Sequence, residues 1–231
     1  MICPEIKAKG KPDFTPLIVH LEQVAIVAKK VAIAKGLDPV LAKDGAILHD
    51  IGKVHPEFQR RLVEEYRIGD LPFRHEISSC LFLSLFEEKK QSVLIDMVVA
   101  HHKSIRKDAR DKGLLDLTEE REPEEIFEFH AGNWEKWSPK ALEILSELGI
   151  VVKPITKKEA ETNFYTILDY CKKVFRQKGY SDYRGLLQAS DHFASALIEK
   201  TAMYTNRLFQ TPNLNFFSRK HPFYPLSIKD A

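Results

Sequence analysis

Apolar positions recur at helical spacing along most of the chain, and no run alternates apolar and polar residues as a half-buried strand would. Leu17, Leu21, Val24, Ala28 and Val31 form one stripe. It ends at Gly36, a residue suited to the left-handed position after a helix. Asp38 followed by Pro39 reads as the N-cap and first turn of a second helix, running through Ala46, Ile47 and Leu48 to His49 and Asp50. Further helices are predicted over 56–66, 74–90 and 92–103, the last capped by Ser92 and finishing at His101 and His102. Residues 103–137 break the pattern. They are rich in charge, contain Gly113, Pro123 and Gly132, and predict a long irregular excursion with room for one short helix. Ser138-Pro139 and Gly149 bracket the next helix, and the capping box Thr156/Glu159 opens another that runs to about Gln177. A last helix is predicted over 182–202. The expected architecture is all-α: one helical bundle over 1–204, with the long irregular excursion, and an extended C-terminal tail over 205–231.

That tail holds Pro212, Pro222 and Pro225 among Phe209, Phe216, Phe217, Phe223 and Tyr224. Disordered tails are poor in aromatic residues, so these rings are expected to be covered. Phe209 to Phe217 fit packing on the domain as well as docking. Residues 221–226 (HPFYPL) fit a partner better.

Composition narrows the class. Of 231 residues, 44% are hydrophobic and 29% charged, the balance of a globular domain. A net charge of only +2 means that any attraction to phosphates must be local. Cys3, Cys80 and Cys171 are far apart and lack C-x-x-C spacing, which argues against a disulfide framework or a thiolate zinc site. The first residues carry charge without an apolar core, and no apolar stretch approaches the ~20 residues of a membrane helix. A cytoplasmic protein with no membrane association is expected.

The histidines change the picture. Five of the nine, His20, His49, His75, His101 and His102, lie in or beside apolar helical stretches. One histidine on an apolar face is ordinary, but five buried imidazoles without partners would be costly. Together with Asp50 they point to a metal. The string LHDIGK (48–53) is the sharpest signal. Asp50 falls at a helix C-terminus, where the macrodipole disfavours a carboxylate unless a cation compensates it. The other histidines read differently. His55 suits a structural or substrate-edge role, and His192 faces away from Asp191. His130 and His221 fall in irregular segments, where replacement should change little. The basic run 103–112 is a solvated loop or a contact to a nucleic-acid backbone. Of Phe127, Phe129, Trp134 and Trp137, most are expected to pack the excursion onto the domain, although rings so placed can also stack on bases.

These residues resemble the HD superfamily of metal phosphohydrolases and, within it, the HD nuclease domain of type I CRISPR systems. The likeness runs from His20 through LHDIGKVHPEFQ (48–59), RHE (74–76) and VVAHHK (98–103) to ASDHFASAL (189–197). It implies two divalent metal ions bridged by Asp50, one completed by His20, His49 and Asp191, the other by His75, His101 and His102. Such a pair clamps a phosphodiester and stabilises the departing oxygen. An imidazole-rich set suits manganese, nickel, cobalt or iron better than magnesium. Lys53 matches a lysine beside the cluster, and Ser195 lies one turn beyond Asp191. Each either touches the scissile phosphate as part of the catalytic set with Asp50, or supports the ligands. The implied activity is cleavage of single-stranded DNA in CRISPR interference. The chain has no Walker motif, so the resemblance further implies a separate helicase subunit and an RNA-guided surveillance complex as partners. The alternatives are an HD phosphohydrolase acting on nucleotides or cyclic dinucleotides, and a structural subunit that has kept the fold without turnover.

Overall fold

The computed structural model describes residues 6–10, 14–63, 72–99, 101, 112–175 and 181–198, and all regular structure among them is helical apart from an isolated bridge between Lys7 and Pro16. The elements are α1 (Leu17–Lys35), α2 (Pro39–Leu48), a 3-10 turn (Ile51–Val54), α3 (Pro56–Arg61), α4 (His75–Cys80), a second 3-10 turn (Leu83–Leu85) and α5 (Glu88–Val98). After them come α6 (Leu114–Glu120), α7 (Pro123–His130), α8 (Trp134–Glu147), α9 (Lys157–Phe175) and α10 (Asp182–Ile198). None of these helices is long and apolar enough to cross a membrane.

Local chemistry sets several boundaries where the sequence places them. The predicted stripe on α1 is buried throughout. Gly36 adopts φ 69° and closes α1 with its N–H on the carbonyls of Ala32 and Ile33. Asp38 accepts hydrogen bonds from the N–H groups of Val40 and Leu41 at 2.8 and 3.2 Å. Thr156 and Glu159 make the reciprocal capping box at the start of α9. α1 packs on α2 and α10, and α2 and α10 both pack on α5, so the ends of these four helices share one neighbourhood.

Elsewhere the structure departs from expectation. The stretch 74–90 is not one helix. α4 ends at Cys80, and the chain passes through a 3-10 turn to an extended Phe86. α5 begins at Glu88, so Ser92 lies inside it and caps nothing, and His101 follows its end. The excursion is helical from Leu114 onward. Gly113 and Pro123 stand at the starts of α6 and α7, and Asn133, in the left-handed region at φ 55°, turns the chain into α8. α8 starts four residues before Ser138, with Pro139 inside it, lacking the N–H that would bond the carbonyl of Glu135. The rings of α7 and α8 belong to the core: Phe127, Trp134 and Trp137 are buried, and Trp134 donates to the carbonyl of Ile155 at 2.8 Å. Only Phe129 among the four is half-buried. The predicted tail, His221, residues 103–111 of the basic run and the far ends of the 56–66 and 182–202 helices lie outside the described residues.

His130 corrects the sequence reading most sharply. It is fully buried at the end of α7. Its Nδ1 donates to the carbonyl of Ile126 at 2.7 Å, and its Nε2 accepts the N–H of Arg74 at 3.0 Å. Its own carbonyl accepts from Ser78 Oγ at 2.8 Å. Burial pushes its pKa down to about 3, so the neutral ring serves as a hinge pin between α7 and the start of α4. His130→Ala orphans the buried Arg74 N–H and opens a cavity. Chemical denaturation should show a loss of about 2–4 kcal/mol, and a variant as stable as the parent would contradict this role.

Candidate metal centre

Five parts of the chain meet at one point. α1 brings His20, and the end of α2 brings His49 and Asp50. The first turn of α4 brings His75, the turn after α5 brings His101, and α10 brings Asp191. α2 stops at Leu48, and Asp50 adopts φ −114° and ψ 3° before the 3-10 turn begins. That break sets adjacent residues at one junction instead of continuing the helix.

Asp50 is the centre of the cluster and is fully buried. Its Oδ2 lies 3.1 Å from His20 Nε2, 3.3 Å from His49 Nε2 and 2.6 Å from Lys53 Nζ. Its Oδ1 faces a different pair, His75 Nε2 at 2.9 Å and His101 Nε2 at 3.5 Å. Asp191 Oδ1 joins the first side, 3.3 Å from His20 Nε2 and 4.0 Å from His49 Nε2. The sets His20–His49–Asp50 and Asp50–His75–His101 each hold three donor atoms within 4.8 Å of one another.

Hydrogen bonds on the outer side fix the imidazoles. His49 Nδ1 lies 2.6 Å from the carbonyl of Ala46, and His101 Nδ1 lies 2.7 Å from the carbonyl of Val98. A carbonyl only accepts, so each Nδ1 carries hydrogen and a neutral ring turns its Nε2 lone pair toward Asp50. Lone pairs facing a carboxylate at these distances repel unless a proton or a cation lies between them. The Nε2 atoms of His20 and His49 and both Asp50 oxygens are buried with no hydrogen bond of good geometry, although Oδ2 has the Lys53 ion pair. That is the donor set a metal ion requires, and the residues present fit one.

The electrostatics agree. Burial opposes ionisation of Asp50, yet His49 and Lys53 hold its carboxyl well below the ordinary range. Burial likewise opposes Asp191, and His20 and His49 outweigh it and keep that carboxyl low. His20 and His101 are shifted upward: burial disfavours their charged forms, but the carboxylates facing them prevail. For His75 burial wins over Glu76 and Asp50, and its pKa falls. The centre is thus built to keep two carboxylates ionised, the form in which they bind a cation.

Supporting contacts tie the pieces together. Ser79 Oγ donates to the carbonyl of His49 and accepts the N–H of Gly52, both at 2.8 Å, binding α4 to the His49–Asp50 junction. Glu76 is gripped by Arg74 at 3.1 and 3.3 Å and lies 3.6 Å from His75 Nδ1. The sequence assigns no role to Ser79, or to the Arg74 and Glu76 that flank His75. A serine and a carboxylate within one turn of a candidate ligand are the signals that would have marked them.

The remaining candidates sort clearly. Lys53 is buried with its ammonium on Asp50. Ser195 Oγ donates to Asp191 Oδ1 at 3.4 Å, so its contact is with the carboxylate it follows by one turn. His102 lies outside the described residues. His55 stands apart from the cluster, caps α3 by accepting the Glu57 N–H, and packs against Phe73 and Trp137. Burial lowers its pKa to about 4, in keeping with a structural role. His192 is exposed.

Comparison with known proteins covers the stretch that holds His20, His49, Asp50, His75 and His101, and stops short of Asp191. A family model described as the HD domain matches residues 17–153, more than half of the chain. Ribonuclease Y of Chlorobium phaeobacteroides is 35% identical over 100 residues, 43% of this chain and 16% of that protein. Ribonuclease Y of Chlorobium luteolum is 33% identical over the same shares, and that of Chlorobium phaeovibrioides is 33% identical over 48% of this chain and 19% of its own length. The matched stretch thus spans less than a fifth of these relatives. No solved structure matches the chain.

Proposed function

Because the chain belongs to the HD-domain family, we propose that it is a metal-dependent phosphodiesterase that cuts single-stranded nucleic acid. The observation that carries this reading is the fully buried Asp50, whose two oxygens face two separate sets of imidazoles. We assign one metal to Asp50, His20, His49 and Asp191, and a second to Asp50, His75, His101 and His102. When bound, such ions supply a nucleophile from water at neutral pH and offset charge on the phosphate and leaving oxygen. The protein's own groups do the rest. Ala46 and Val98 hold His49 and His101 in the tautomer that presents Nε2, rather than Nδ1, to a metal. Ser195 steadies Asp191, and the Lys53 ammonium, beside Asp50, is placed to meet a phosphate oxygen.

Within that class we favour single-stranded DNA, cleaved in CRISPR interference beside a separate helicase subunit and an RNA-guided surveillance complex. The motifs GKVHPEFQ (52–59) and ASDHFASA (189–196) support this, and the tail 205–231 is the segment we assign to docking. A specific observation favours a second reading, RNA cleavage: the similar proteins bear the name Ribonuclease Y.

Chelator-stripped protein, assayed with a metal panel on single-stranded DNA, single-stranded RNA, closed duplex and mononucleotides, tests the proposal. Manganese, nickel, cobalt or iron should restore cutting of single strands, with magnesium much weaker. Full activity with micromolar magnesium alone would contradict the ligand assignment. Preferential hydrolysis of mononucleotides would replace the nuclease reading.

A further inference from the structure

The metal centre is closed on one side and open on the other. The side chains of His20, His49, His101 and Asp50 are 0–2% exposed, whereas those of Lys53, Asp191 and His75 keep 9–12%. Among the described residues, a phosphodiester therefore approaches over Lys53, Asp191 and His75.

α3 borders that side. The Phe58 ring lies 5.5 Å from the His75 ring, edge to face, and Lys53 Nζ stands 5.5 Å from its centroid. α3 buries none of its residues, and Phe58 is absent from the apolar side chains packed on the core. It is half-buried, leaning on two groups at the mouth of the site. A large aromatic side chain that adds nothing to the core of the described residues, yet is held at a charged opening, is placed to meet a ligand.

Its support is also rigid. His55 caps α3, and Arg60 and Arg61 both pair with Glu57. Gln59 donates to the carbonyls of Lys53 and Lys7 at 2.7 and 2.9 Å and accepts the Lys7 N–H at 3.2 Å. The helix therefore holds Phe58 in fixed register with Lys53, the group nearest an entering phosphate. Aromatic side chains beside a cationic group form the usual platform for a base next to its phosphate.

We propose that Phe58 stacks on the nucleobase flanking the scissile phosphate and so selects unpaired strands, whose bases are free to splay. The inference rests on the phosphodiesterase reading and specifies how that site recognises its substrate. A base held in a duplex cannot reach the ring while its phosphate reaches the metal centre, which gives a physical reason for a single-strand preference.

The test uses the full chain with manganese, a single-stranded DNA oligonucleotide, and a matched strand made abasic on both sides of the cleaved linkage. Phe58→Leu keeps the bulk beside His75 but removes the ring face. It should raise KM about tenfold on the base-bearing strand, within the range of base–aromatic stacking, with kcat changed far less. On the abasic strand that penalty should vanish, and Phe58→Trp should restore the parent KM on the base-bearing strand. Equal losses on both strands, or a fall in bound metal, would show that the ring only props His75 and would overturn the inference. Leucine performing like phenylalanine would overturn it as well. Failure of the parent protein to cut either strand would instead sink the phosphodiesterase reading, and the stacking role with it.

Discussion

Asp50→Ala is expected to lower cleavage by at least roughly 10³-fold and to strip bound metal, while the helical circular-dichroism signal stays in place. The reason is geometric. Each Asp50 oxygen faces its own imidazole set, so one carboxylate serves both halves of the centre and its loss cannot be local. Metal stabilisation of a phosphoryl transition state amounts to several kcal/mol, which corresponds to the stated rate loss. The fold should survive because Asp50 sits at a junction between helices, and Lys53, with a tenth of its side chain exposed, can swing its ammonium to water. Asp50→Asn separates charge from shape: it preserves volume but removes the ionised oxygen. It should therefore lose metal and activity almost as completely. Full activity in either variant would refute the shared-carboxylate arrangement.

Gly52→Ala should be nearly as damaging, by a different route. A methyl group there would sit 2.1 Å from the His75 carbonyl oxygen and 2.6 Å from the Ser79 backbone nitrogen. These are backbone atoms of α4 and cannot yield by changing rotamer. α4 would have to retreat from the 3-10 turn, carrying His75 with it and breaking the Gly52–Ser79–His49 hydrogen-bond chain. Overpacking of this kind costs about 3 kcal/mol or more when backbone must shift. The variant should melt earlier, bind less metal and lose most of its activity. A Gly52→Ala protein with the parent's stability and metal content would show that α4 is less tightly docked than these contacts require.

The parts of this architecture visible in the sequence are those set by short-range chemistry. Asp38, Gly36 and the Thr156/Glu159 box act on backbone groups within a few residues, so their meaning survives without tertiary context. The breakers in 103–137 exaggerate its irregularity. Gly113 and Pro123 punctuate a series of short helices; they do not mark a loop. Short helices bury too few positions for periodicity to register, and tertiary packing of Trp134 and Trp137 stabilises them. The site shows the same division. The adjacency of His49 and Asp50 and the apolar setting of His20 are local features. That α1, α4 and the turn after α5 bring their imidazole nitrogens within 2.9–3.5 Å of Asp50 is a property of the packed bundle. His130 escapes a reading of the sequence because a buried hydrogen-bond hub and a solvated histidine are the same letter. Its spacing of four from buried Ile126 was the available clue.

The measurement that bears most directly on the account is anomalous diffraction at the manganese edge from crystals of the manganese-loaded protein. Two peaks per chain are expected, one beside each Asp50 oxygen: the first among His20, His49 and Asp191, the second beside His75 and His101. A single peak remote from Asp50, or no peak in protein that still cleaves single strands with manganese, would contradict it.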